Sequence, residues 1–158
     1  MTETKILVFD MDGTLADFYG VSNWLEYLQE NNPTPYIVAK PLIDIAKLNS
    51  YLLFLKTCGW EIVITSWLAK NSNKKFDDEV RQAKKEWLKK YNFPFDELHL
   101  IKYGTTKANC TRKKGGYQIL VDDNAKVRKG WTLGHTIDAT GDLLNEILSI
   151  IKKEIMAV

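Results

Sequence analysis

Five short runs of β-branched and aliphatic residues punctuate the chain: Ile6–Phe9, Glu61–Thr65, Leu98–Ile101, Tyr117–Val121 and His135–Ile137. Their apolar positions are mostly consecutive rather than alternating, the pattern of strands covered on both faces, and helix-like stretches separate them. The clearest of those stretches is Asp77–Tyr91, where Val80, Ala83, Trp87 and Tyr91 recur at helical spacing while Arg81, Lys84, Lys85 and Lys89 fall on other faces, where they are expected to be solvated. A second helix is expected from about Leu42 to Lys56, with Ile45, Leu48, Leu52 and Leu55 on one side, and a third from about Asp142 to Ile155. Apolar strands with helical crossovers predict an α/β sandwich around a parallel sheet.

The interval between the first two runs is longer than a simple crossover needs. Ser22 is a candidate N-cap for a helix over Asn23–Glu30, and Asn31-Asn32-Pro33-Thr34-Pro35 then breaks it. Residues from about 16 to 41 are therefore expected to form a small cap over the sheet edge, too short to stand as a domain. The whole chain, 158 residues with 45% hydrophobic and 27% charged positions, has the composition of one domain.

Charge narrows the ligand. The 22 Lys and Arg against 20 Asp and Glu leave a formal charge of +2, which argues against electrostatically driven nucleic-acid binding and favours small ligands. The first residues lead straight into a strand-like run without a signal-type leader, and no stretch has membrane-spanning length, so a cytoplasmic protein without a membrane partner is expected. Cys58 and Cys110 lie far apart without metal-site spacing, as reduced thiols would. The basic Arg112, Lys113 and Lys114 before Gly115-Gly116 read as a solvated turn.

The candidate chemistry begins directly after the first run, at Asp10-Met11-Asp12-Gly13-Thr14-Leu15. Ligands of open α/β sheets bind at the carboxyl ends of the strands. Two carboxylates one residue apart can divide labour, one attacking phosphorus while the other gives a proton to the leaving oxygen and later activates water. Gly13 permits a sharp turn that aims backbone N–H groups at an anion. The fourth run ends in Asp122-Asp123-Asn124; adjacent carboxylates repel unless a cation sits between them, and an all-oxygen cluster suits Mg²⁺. The second run ends in Thr65-Ser66-Trp67, whose hydroxyls can bind a phosphoryl oxygen without adding charge.

In this order, the three strand ends resemble the motifs of the haloacid dehalogenase (HAD) superfamily. The resemblance runs over nearly the full chain and implies a Rossmann-like fold, with a five-stranded parallel sheet in an α/β/α sandwich and a small cap after strand 1. It implies Asp10 as nucleophile, Asp12 as general acid and base and Thr65 as phosphoryl anchor. It also implies Mg²⁺ held by the Asp10 carboxylate, the Asp12 main-chain carbonyl and Asp122, with Asp123 assisting. Asp12 favours phosphatase over dehalogenase, since the dehalogenase branch lacks that acid. The family's third motif is a lysine, for which Lys102 and Lys107 compete. Gly104 and Thr105 make a turn and a candidate cap that would set Lys107 at a helix start facing the site, leaving Lys102 as runner-up.

Within the superfamily, Asp-Met-Asp-Gly-Thr-Leu-Ala-Asp, the Thr65-Ser66 pair and Leu-Val-Asp-Asp-Asn look most like deoxyribonucleotidase-type phosphatases and their small bacterial and phage relatives. The expected substrate is a small phosphomonoester, a nucleoside or deoxynucleoside monophosphate, with Ser66, Trp67 and Lys102 as substrate contacts. Phe18, Tyr19 and Trp24 flank the same site, and Trp24 with Leu28 reads as cap core. The alternatives are a lightly capped phosphatase acting on a nucleic-acid end, and a non-catalytic phosphate-binding protein.

Overall fold

The computed structural model describes residues 4–110 and 116–157, the Cys110 side chain excepted. The proposed basic turn at Arg112–Lys114 and any role for Cys110 lie outside the described residues. Five strands form a single sheet: β1 (Lys5–Phe9), β2 (Trp60–Trp67), β3 (Glu97–Ile101), β4 (Tyr117–Asp122) and β5 (Gly134–Asp138), all parallel, in the order β3-β2-β1-β4-β5. Each expected run forms a strand. β2 is longer than expected because Ser66 and Trp67 pair with Leu100 and Ile101 of β3.

The alternation of side chains splits the core in two. Leu7, Phe9, Ile62, Ile64, Ile119 and Val121 point to one face, under α3 (Ile45–Thr57) and α7 (Leu143–Met156). Ile6, Val8, Val63 and Leu120 point to the other, where Ala108 and Trp131 cover them. α4 (Lys74–Lys90) follows β2, and its Trp87 and Leu88 join the first cluster while Phe76, Val80 and Ala83 build a third with Phe18, Tyr36 and Leu68.

Helix starts follow side-chain caps more closely than hydrophobic periodicity. Asp44 accepts from the Lys47 N–H at 3.1 Å, so α3 begins at Ile45 rather than near Leu42. Asn73 accepts from the Phe76 N–H at 2.8 Å, which starts α4 three residues before the expected Asp77.

Between Leu15 and Leu42 the chain leaves the sheet and returns. An antiparallel bridge joins Ala16 to Pro41, and Leu42 N–H donates to the Leu15 carbonyl at 2.9 Å, so the ends of the excursion close on each other. Two short helices lie inside it, α1 (Trp24–Gln29) and α2 (Thr34–Val38). Ser22 does not cap α1: Asn23 occupies that position in a left-handed conformation, φ 63°, without a side-chain cap bond. The Asn-Pro-rich stretch ends α1 but also launches α2, because Pro35 needs no N–H donor in a first helical turn. α2 packs against α4, and Trp87 Nε1–H reaches the Ala39 carbonyl at 2.8 Å to pin the returning chain. Among the described residues, no helix is long and apolar enough to cross a membrane.

Candidate active site

The sheet reverses its winding at β1: the chain moves from there to β2 and β3 on one side, then to β4 and β5 on the other. The crevice outside the carboxyl ends of β1 and β4 is the switch point where open α/β sheets bind ligands. Asp10 stands there, with its N–H still on the ladder to the Val121 carbonyl at 3.0 Å. Met11 then folds the chain into a tight loop by accepting from the N–H groups of Thr14, Leu15 and Ala16. Gly13, at φ +82°, turns that loop, and a Cβ on it would lie 2.5 Å from Asp123 Oδ2. Glycine is therefore needed twice over, for the backbone angle and for room for the acid opposite.

Asp10, Asp122 and Asp123 each offer a carboxylate oxygen within 4.8 Å of the others. Lys107, 4% exposed, bridges two of them, with Nζ 2.9 Å from Asp10 Oδ1 and 2.8 Å from Asp122 Oδ2. Thr14 Oγ1–H donates to Asp10 Oδ2 at 3.0 Å, and the same hydroxyl accepts from the Asp123 N–H at 3.2 Å. Burial pushes Asp123 up to about 7, reinforced by its contact with Asp10 and the charges of Asp10 and Asp122. Burial and Asp10 also raise Asp122, against the pull of Lys107. For Lys107, burial favours the neutral amine, but Asp10 and Asp122 outweigh it and the ammonium is held more firmly than usual. When all three carboxylates are ionised, the one ammonium leaves two negative charges uncompensated. A hard divalent cation with oxygen ligands fits that deficit and that donor set.

Asp12 faces the same cavity but belongs to a different ion pair. Its Oδ2 lies 2.9 Å from Lys84 Nζ, and the Lys84 side chain is only 1% exposed. Lys84 also donates to Ser66 Oγ at 2.7 Å and to the Trp67 carbonyl at 2.8 Å, and its ammonium sits 5.2 Å from the Tyr36 ring centroid. The expectation that the lysines of α4 are solvated is therefore wrong for Lys84. Positions 76, 80, 83, 84, 87 and 88 form one continuous buried stripe in the folded helix, and Lys84 belongs to it. Burial raises the Asp12 carboxyl, with the Lys84 charge opposing and Asp10 adding to the rise.

The cavity above these groups has a volume of about 320 Å³. Phe18, Tyr19 and Trp24 form one wall, and Trp67 with Tyr103 the other. Trp24 and Leu28 line it as well as packing in the core of the excursion. Trp67 is fixed by a hydrogen bond from Nε1–H to the Thr105 carbonyl at 2.8 Å, with Tyr103 5.0 Å away on its ring and Lys107 Nζ 5.4 Å from its centroid. Burial and the charges of Asp12, Asp123 and Asp10 push the Tyr19 phenol up to about 12, so it stays a neutral donor.

Of the expected site residues, Asp10, Asp12, Ser66, Trp67, Lys107, Asp122 and Asp123 line this one cavity. Thr65 is fully buried at the end of β2, beneath Ser66 in the chain and not on the cavity surface. Lys102 is exposed and is not among the residues lining the cavity; its carbonyl accepts from the Thr105 N–H and hydroxyl. The turn expected at Gly104 forms, with φ +82°, and α5 (Lys107–Cys110) starts at Lys107. The Thr105 hydroxyl bonds backwards rather than capping that helix. Thr14 and Lys84, which bond the acids of the site, are residues to which sequence reasoning gave no role.

The chain matches no protein-family model and no curated protein. Its fold is similar to that of solved chains at low identity. One, from the structure of a Pnkp1/Rnl/Hen1 complex, gives a TM-score of 0.55 at 17% identity over 87% of this chain and 46% of that one. Another, from the Pnkp1/Rnl/Hen1 RNA repair complex, gives 0.53 at 20% identity over 84% and 42%. This chain thus spans less than half the length of either. The HAD domain of the effector protein Lem4 from Legionella pneumophila matches nearly end to end, with a TM-score of 0.50 at 13% identity over 96% of this chain and 95% of that one. The protein therefore has the HAD-like α/β fold, a five-stranded parallel sheet layered with helices, and its acidic cluster stands at the carboxyl end of that sheet.

Proposed function

We propose that this protein is a Mg²⁺-dependent phosphomonoester hydrolase that works through an aspartyl-phosphate on Asp10. The observation that carries the reading is the division of two neighbouring acids: Asp10 sits in the cation-hungry cluster with Lys107, while Asp12 faces the same cavity from a separate ion pair with Lys84. Two carboxylates in contrasting surroundings are what a nucleophile and an acid–base partner require.

An Asp10 oxygen would attack phosphorus, and the bond to the leaving alcohol would break as Asp12 delivers its proton. Asp12, now ionised, would take a proton from water as that water attacks the phosphorus, releasing phosphate and restoring Asp10. The raised Asp12 carboxyl suits a group that must hold a proton in the first step. Lys107 would hold charge near the transferring group, and the Ser66 hydroxyl would anchor it from the end of β2, in front of the buried Thr65. Asp10, Asp122 and Asp123, with the Asp12 main-chain carbonyl by resemblance, would hold Mg²⁺, which neutralises charge on the phosphoryl oxygens.

The aromatic walls, with Trp67 held rigid, favour a planar leaving group, hence a nucleoside or deoxynucleoside monophosphate. A second reading, a nucleic-acid end as substrate, draws on the fold's likeness to chains of an RNA repair complex. The test is Mg²⁺-dependent phosphate release from an aryl phosphate, which Asp10→Asn should abolish. A panel of nucleotides, sugar phosphates and 3′-phosphorylated oligonucleotides then ranks the substrates. No turnover with any phosphoester would remove both readings, and preference for the oligonucleotides would select the second.

A further inference from the structure

Lys84 is a fully buried cation that the reaction just described does not use. Its ammonium has three hydrogens, and all three are spent: on Asp12 Oδ2 at 2.9 Å, on Ser66 Oγ at 2.7 Å and on the Trp67 carbonyl at 2.8 Å. The stem rises from the middle of α4, and the Tyr36 ring of α2 closes over the charge at 5.2 Å. Such a group is costly to bury, and it persists only where every partner is in place.

The consequences fall on the two partners that line the cavity. With Oδ2 engaged by Lys84, Asp12 has one oxygen, Oδ1, without a hydrogen-bond partner among the described residues, and that oxygen is the one left to exchange a proton. Ser66 Oγ accepts from Lys84, so its own hydrogen is directed to a different acceptor; a phosphoryl or leaving-group oxygen in the cavity is the one on offer. We infer that Lys84 is the positioning residue for leaving-group protonation: it fixes which oxygen of Asp12 handles the proton and turns the Ser66 hydroxyl into a donor facing the substrate. The inference rests on the phosphatase reading above. It adds a residue that acts through Asp12 and Ser66 without touching phosphorus.

The experiment compares an alkyl phosphomonoester, whose leaving alkoxide must be protonated, with 2,4-dinitrophenyl phosphate, whose leaving group departs as the anion. Lys84→Met should lower kcat/KM for the alkyl ester by about 100-fold, within the usual range for lost general acid catalysis, while the dinitrophenyl ester loses less than about 5-fold. In the Asp12→Asn background, adding Lys84→Met should change kcat/KM for the alkyl ester by no more than about threefold, because the acid it positions is gone and only its hold on Ser66 remains. Equal losses on both esters, or independent multiplication of the two single effects, would assign Lys84 a purely structural role. If Lys84→Met does not fold, Lys84→Gln keeps donors without charge and should give the same split with a smaller loss; parallel losses there overturn the inference equally. A wild-type protein inactive on both esters would instead overturn the phosphatase reading beneath it.

Discussion

Lys107 and Lys84 are both buried beside carboxylates in one cavity, yet they stand in different electrostatic surroundings. Lys107 heads the four-residue α5 and bridges two of the three acids clustered at the ends of β1 and β4, so its single charge does not balance the three carboxylates. Lys84 projects from the 17-residue α4 onto one acid, so that pair is balanced, and neutral acceptors consume its remaining hydrogens. A net-negative centre attracts a cation, and would accept an anionic phosphoryl group only with that cation in place; a balanced pair holds its partner in place. On the proposed function, the same residue type would serve charge stabilisation in one position and orientation in the other.

The comparison breaks first at the acidic cluster. Asp10→Asn should lower kcat at least about 1000-fold, since it removes the nucleophile. Lys107→Ala should cost about 100-fold whatever the leaving group, as loss of transition-state charge stabilisation does, whereas Lys102→Ala stays within about twofold. Steady-state kinetics check all three, and equal damage from the two lysine variants would remove Lys107 from the centre.

Gly13→Ala should come next. Its Cβ would meet Asp123 Oδ2 at 2.5 Å from a backbone angle of +82°, so affinity for Mg²⁺ should fall at least about tenfold and stability by about 1–2 kcal/mol. Calorimetric titration with Mg²⁺ and thermal melts measure the two effects separately.

A smaller effect should appear with pH. The Asp123 carboxyl is raised to about 7 from its ordinary 3.8, so between those values the folded protein holds a proton that the unfolded chain has lost. Its contribution therefore disfavours the metal-free fold increasingly as pH rises from about 4 to about 7, and acidification relieves it. Mg²⁺ competes with that proton, so the rise in Tm on adding Mg²⁺ should grow from pH 5 to pH 8. A rise that is flat or shrinks over that window would separate Asp123 from the cation.

The mildest change is expected from Trp67→Phe. It loses the hydrogen bond to the Thr105 carbonyl, worth about 1 kcal/mol, and should raise KM several-fold with kcat nearly kept if the ring contacts the leaving group rather than phosphorus.

The five strands were legible because each is an uninterrupted apolar run, and Asp10, Asp12, Asp122 and Asp123 because acids directly after such runs have no structural reason to cluster. Lys107 was legible through the Gly104 turn before it. Lys84 was not, because periodicity read through Val80, Ala83 and Trp87 treats a lysine as the edge of the stripe, although its long stem can bury as an apolar residue while the ammonium finds partners 18 and 72 residues away in the chain. α1 and α2 were only half legible: they are too short for periodicity to mark, and α1 has no buried residue at all. Thr14 belongs to the motif that follows β1, but its link to Asp123 arises only when β4 pairs beside β1.

The central claim is that phosphate passes through Asp10, and trapping the phosphorylated protein tests it most directly. Acid quench during turnover of a radiolabelled phosphomonoester with Mg²⁺ should leave label covalently bound, released by hydroxylamine as an acyl phosphate, and carried on the peptide containing Asp10. Turnover of the wild-type protein without bound label, or label retained in Asp10→Asn, would contradict the account.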